Sequence, residues 1–133
     1  MRYLDRLQPL ALLVLRFVLG AIMIAHGYGK VFGGMQNFSH LVSGLGIPGW
    51  MAYLSAAAEF GGGILLVLGL ITRIAAAAVL VDMLVAISKV HFKNGLMGQG
   101  GYEFPLALAA IAFSLILFGA GPIALDHIRG RST

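Results

Sequence analysis

Apolar positions dominate this chain in four long segments, at about residues 9–31, 48–70, 72–90 and 102–120, separated by short polar or glycine-rich stretches. Each segment is close to the ~20 residues that a helix needs to cross the hydrocarbon core of a bilayer. Pro9 and Pro48 stand where helices begin and Pro105 in a first turn, where a missing backbone N–H costs nothing. The second and third segments are joined only by Leu70 to Thr72, which forces an antiparallel hairpin and makes Thr72 the expected N-cap of the third helix. "GAGP", residues 119–122, ends the fourth because glycine and proline do not continue a helix. The pattern predicts one domain over residues 1–133: an all-α integral membrane four-helix bundle with antiparallel neighbours.

Composition agrees with that solvent. Charged residues make up 11% of the chain and hydrophobic residues 59%, with a mean hydropathy of +0.93, whereas a soluble domain carries about 25% charged residues. A water-facing shell cannot be assembled from so few charges. The absence of cysteine excludes a disulfide framework, an internal thiol redox centre and a cysteine-ligated iron–sulfur cluster. The net charge of +4 suits anionic lipid headgroups, and no basic cluster with interleaved aromatics points to nucleic acid. Phosphate-binding glycine loops and nucleophile elbows are absent. No intrinsic cofactor signature is present.

The connections at residues 32–50 and 91–103 are long, glycine-rich and on one side of the membrane; the tight turn and both termini lie on the other. Arg2, Arg6, Arg73, Arg129 and Arg131 mark the terminal side against Lys30, Lys89 and Lys93 on the loop side, so the positive-inside rule predicts cytoplasmic termini. Arg16 interrupts the first apolar run, and the segment reads as an uncleaved helix rather than a signal peptide. Tyr28, Trp50, Tyr53 and Tyr102 fall where an interfacial aromatic belt would lie.

Ionisable residues within such spans are costly and usually face a partner or a cavity. At about 1.5 Å per residue, Arg16 lies ~10 Å into the first helix, Asp82 ~14 Å from Arg73 and Glu59 ~16 Å from Leu70, which predicts one layer in which Arg16 pairs with Glu59 and Asp82. Two readings stay open for this group. It is a buried ionic lock that fixes helix register, or, with two carboxylates against one guanidinium, a site that holds a proton or a ligand. Small residues flank Glu59 at helical spacing, Ser55 and Gly63 among them, permitting close helix approach. A second group, His26, Lys30, Lys89, His91 and Glu103, gathers at the loop side. Imidazole there can donate to a quinone carbonyl or relay protons; the plainer reading is lysine snorkelling at the headgroup level. No metal-ligand spacing is seen.

Taken in order, "RFVLGAIMIAHGYGK" (16–30), "EFGGGILLVLGLITRIAA" (59–76), "DMLVAI" (82–87), "YEFPLALAA" (102–110) and "GAGPIALD" (119–126) resemble the DoxX family of small bacterial membrane proteins. The likeness spans almost the whole chain and rests on the order of the motifs and on Arg16, Lys30, Glu59, Glu103 and Asp126. It implies a four-helix protein of the bacterial inner membrane, related to the DoxD-type subunit of thiosulfate:quinone oxidoreductase and linked to membrane oxidoreductase complexes. Two functional expectations follow. One is a membrane subunit of a redox system, quinone-interacting and proton-coupled, working with a partner oxidoreductase subunit. The other is a non-enzymatic membrane protein, an assembly factor or small-molecule carrier, whose buried charges are structural. A bundle this small also leaves helix surface for a homo-oligomer.

Overall fold

The computed structural model describes residues 2–97 and 100–128, and every regular element among them is helical. In chain order these are α1 (Arg2–Asp5), α2 (Gln8–Gly29), α3 (Met35–Gly44), α4 (Met51–Leu68), α5 (Thr72–Ala86), α6 (Glu103–Phe118) and α7 (Leu125–Ile128). A π-helical turn, Lys30–Gly34, joins α2 to α3, and a second, Ile87–His91, continues α5 into a 3-10 turn at Phe92–Asn94. The long helices pack in a cycle: α2 on α4, α4 on α5, α5 on α6, and α6 back on α2. Arg129 and Arg131, which enter the charge asymmetry, lie outside the described residues.

Two helical stretches are long and apolar enough to cross a membrane, Tyr3–Gly44 with 42 residues and Met51–Leu68 with 18. Forty-two residues in a straight line would measure ~60 Å, twice the ~30 Å hydrocarbon core. The stretch does not run straight. Gly34 departs from helical geometry at φ −118°, ψ 11°, and beyond it α3 packs on α4. The glycine-rich connection expected at residues 32–50 is therefore mostly helix. Its glycines lie in the π turn (Gly33, Gly34) and at or beyond the end of α3 (Gly44, Gly46, Gly49), while Phe38, Leu41 and Val42 supply an apolar side.

Residue size is distributed in the reverse of a water-soluble fold. The interior is built from small residues: Ala52, Ala56, Ala75, Ala76, Ala109 and Ala112 are buried, and so are Gly20, Gly27, Gly62 and Gly63. The outward surface carries Phe17, Ile74, Phe113, Leu117 and Phe118, each more than half exposed. Lipid tails are as apolar as leucine, so helices in a membrane gain little by hiding large side chains and more by close backbone packing. Leu19, Leu66, Val79, Leu108 and Leu115 fill what remains of the core.

The α4–α5 turn is closed from a distance. Gly69 ends α4 in the left-handed region at φ 70°, and Ile71 follows at φ 41°, a conformation that is unusual for a β-branched residue. Thr72 is not the N-cap that the sequence predicts. It is the first residue of α5, and Asp126, at the start of α7, supplies the cap instead: its Oδ1 accepts the Ile71 N–H at 2.7 Å and its Oδ2 the Thr72 N–H at 2.9 Å. Asp126 in turn donates its own N–H to Gly69 O at 2.9 Å.

Candidate functional site

The site begins with a glycine. A Cβ on Gly27 would lie 2.5 Å from Phe60 N, so only glycine lets α2 approach α4 there. The neighbour of Phe60 is Glu59, and the residue three beyond Gly27 is Lys30, the first of the π turn. The crossing brings their side chains together: Lys30 Nζ donates to Glu59 Oε1 at 2.7 Å and Oε2 at 2.8 Å. Glu59 is nearly inaccessible and Lys30 about a quarter exposed. Lys30 also sits 4.0 Å from the centre of the Phe38 ring, a cation–π contact that fastens α3 over the pair.

Ser55, one turn before Glu59 on α4, extends the group to α5. Its hydroxyl lies 3.2 Å from Glu59 Oε2 and also contacts Asp82 Oδ1. The second oxygen of Asp82 is buried with no hydrogen-bond partner among the described residues. Two helices, α4 and α5, and one π turn thus meet in a polar string, Lys30, Glu59, Ser55 and Asp82, within an apolar protein.

Two cavities flank this string. The larger, about 590 Å³, has Lys30, Ser55, Glu59, Asp82, Lys89 and His91 as its polar lining, with apolar residues of α3, α4 and α5 over the rest. The smaller, about 370 Å³, includes His26, Lys30, Glu59, His91 and Glu103. Lys30, Glu59 and His91 line both. In each histidine the Nδ1 lies against a backbone carbonyl, Ile22 O at 2.9 Å for His26 and Gly100 O at 2.8 Å for His91. A carbonyl only accepts, so Nδ1 carries the hydrogen and Nε2 of the neutral ring is left to accept. His26 also stacks on Phe104, with ring centres 6.2 Å apart, and Tyr102 stacks on Phe92 at 5.9 Å.

The grouping of Arg16 with Glu59 and Asp82 is not what the structure contains. Arg16, almost fully buried, donates Nε to Leu66 O at 2.7 Å and a terminal nitrogen to Ala120 O at 2.8 Å, with Asp126 as its electrostatic partner. The depth count errs because α2 starts well beyond the level of the α4–α5 turn, so Arg16 comes level with Leu66 rather than with Glu59. Seven residues separate those two on α4, about 10 Å of helix. Leu66 O, in the last turn of α4, accepts the Gly69 N–H at 3.2 Å and has a second lone pair for the guanidinium.

The loop-side group is assembled in part as one set. His26, Lys30, His91 and Glu103 share the smaller cavity, and Lys89 joins Lys30 and His91 in the larger. The sequence reading missed the Lys30–Glu59 bond that merges the two groups, the bridging role of Ser55, and the covering helix α3. Two signals for them were present: the four-residue spacing of Ser55 and Glu59, and Gly27 one turn before Lys30.

The residues of the polar string, with His26, Lys89 and His91, fall within a recognised sequence pattern, and Glu103 lies beyond it. The DoxX family model matches residues 11–92. Over 114 residues the chain is 37% identical to the Bacillus subtilis protein named "Putative oxidoreductase CatD", covering 86% of this chain and 83% of that one. It is 33% identical to an uncharacterised protein of Haemophilus influenzae over 96% of both chains, and 33% identical to the Escherichia coli inner membrane protein YqjF over 53% of both. No solved structure matches. With well over half of its length matched by the family model, and an inner membrane protein among its relatives, this membrane protein belongs to the DoxX family.

Proposed function

We propose that the chain is a quinone-binding membrane subunit of a redox system, an antiparallel four-helix bundle of the bacterial inner membrane with both termini in the cytoplasm. The observation that carries this reading is the larger cavity. Its size, about 590 Å³, falls in the range of small-molecule sites, which are mostly apolar with a few placed polar groups. Lys89 and the remaining N–H of Lys30 offer donors to ring carbonyls, the Nε2 of His91 offers an acceptor to a quinol hydroxyl, and the apolar lining suits an isoprenoid tail. The relative named as an oxidoreductase supports the same class. With no cysteine in the chain, electrons reach the quinone from a partner subunit. The outward apolar faces supply lipid contact and room for that partner.

Arg16 and Asp126 favour a second reading in one respect, since their charges are fully engaged in holding chain segments together. In that reading the protein is a non-enzymatic carrier or assembly factor and the cavity holds a redox-inactive amphiphile. Extraction and chromatography of small molecules from protein purified out of native membranes separates the two. Near-stoichiometric quinone, reduced severalfold by His91→Ala, is expected; repeated preparations with another lipid and no quinone would overturn the proposal.

A further inference from the structure

We propose that Ser55 is a proton-relay residue, whose hydroxyl passes a single proton between Glu59, on the wall common to both cavities, and Asp82, on the wall of the larger one. The inference rests on the larger cavity being the ligand site.

Hydrogen counting leads to it. The Ser55 hydroxyl contacts both Glu59 Oε2 and Asp82 Oδ1 but has one hydrogen to donate. With both carboxyls ionised, one of these contacts would be oxygen against oxygen with nothing between them. The string would also hold two negative charges against the one positive charge of Lys30, in a medium where unpaired charge is expensive. One added proton resolves both problems, and it has two resting places. In the first, Asp82 Oδ1–H donates to Ser55 Oγ, and Ser55 Oγ–H donates to Glu59 Oε2. In the second, Glu59 Oε2–H donates to Ser55 Oγ, and Ser55 Oγ–H donates to Asp82 Oδ1.

Conversion of the second arrangement into the first breaks the O–H bond of Glu59 and forms one at Asp82. Serine gives up one hydrogen and gains another, and no electrons move. Lys30 holds Glu59 from the far side throughout, through both oxygens.

The two ends of the relay face different surroundings. Glu59 lines the smaller cavity together with His26, His91 and Glu103, groups able to exchange protons with it. Asp82 lines only the larger cavity, where Lys89 and His91 are the other titratable groups besides the Lys30–Glu59 pair. The ligand class that fits is an amphiphile whose oxygen takes up or releases a proton.

The test is infrared spectroscopy of the full chain in detergent, with no quinone added, following the C=O stretch of a protonated carboxyl during transfer into deuterium oxide. A single such band is expected, absent in Asp82→Asn. Its deuterium shift should slow by roughly 10²-fold in Ser55→Ala, the smaller end of what a positioned proton-transfer group contributes, and return to the native rate in Ser55→Thr. Exchange at the native rate in Ser55→Ala, no protonated-carboxyl band, or a band unchanged in Asp82→Asn would each overturn the relay. If native-membrane extraction repeatedly yields no quinone while this exchange behaves as expected, only the quinone assignment falls.

Discussion

Replacing Asp126 with alanine removes the acceptor from two backbone N–H groups at once. One of them, on Thr72, belongs to a fully buried residue, and the other, on Ile71, to a half-buried one. An orphaned buried donor costs about 1–3 kcal/mol; taking the upper half for Thr72 and the lower for Ile71 gives about 4 kcal/mol. Ile71 sits in the left-handed region at φ 41°, which costs an L-residue roughly 1–2 kcal/mol, and the Asp126 bond is part of what offsets that strain. Asp126→Asn keeps one side-chain oxygen and should lose about half as much as Asp126→Ala. The measurement is reversible unfolding in mixed micelles followed by circular dichroism, with amide exchange at residues 71 and 72 as a local readout. Because Arg16 has Asp126 as its electrostatic partner, Arg16→Leu and Asp126→Ala should be clearly non-additive, as for residues of one network. If Asp126→Ala unfolds within about 0.5 kcal/mol of the native chain, the range of an ordinary surface substitution, the assignment of a remote helix cap is refuted.

The α2–α4 crossing makes its own prediction. A Cβ on Gly63 would lie 2.7 Å from Gly20 O and 2.8 Å from Ile24 N, so Gly63→Ala should cost about 1–3 kcal/mol through overpacking. Gly61 meets nothing within 4 Å, and Gly61→Ala should be neutral or stabilising by up to about 1 kcal/mol; equal losses at the two positions would deny the close crossing. For orientation, an impermeant thiol reagent added to intact cells should label Gln36→Cys and spare Ile128→Cys, and the reverse pattern would invert the topology.

Hydrophobic patterning made the helical class and the membrane solvent legible, because 11% charged residues beside 59% hydrophobic ones cannot cover a water-facing surface. It also marked the costly residues, since charge in an apolar run is conspicuous whatever its partner. Partners were harder to read. Arg16 and Glu59 were matched by counting along helices from assumed ends, and a count along one helix says nothing of how far its neighbour is offset from it. That offset is set by the Gly20–Gly63 and Gly27–Phe60 contacts, which are long-range. Asp126 was noticed only through family likeness, because a cap contributed from 54 residues away leaves no local signature. Helix α3 was hidden by the glycines that precede it, which signal a loop by composition and act as a bend in the structure.

The two polar groups of the interior therefore divide the molecule by role. At the hairpin end, Arg16 and Asp126 hold backbone groups of Leu66, Ala120, Ile71 and Thr72. Side chains so engaged have little left to offer a ligand. At the loop end the polar atoms bind one another, around a hydroxyl placed between two carboxyls, and both cavities lie against them. Both π turns occur at this end, carrying Lys30, Lys89 and His91, and such turns are frequent at functional sites because the extra residue re-aims the side chains that follow. Poor packing and an incompletely partnered carboxyl are destabilising where they stand. They are tolerable here because the Leu19, Leu66 and Leu115 packing and the remote cap on α5 hold the four long helices from the opposite end.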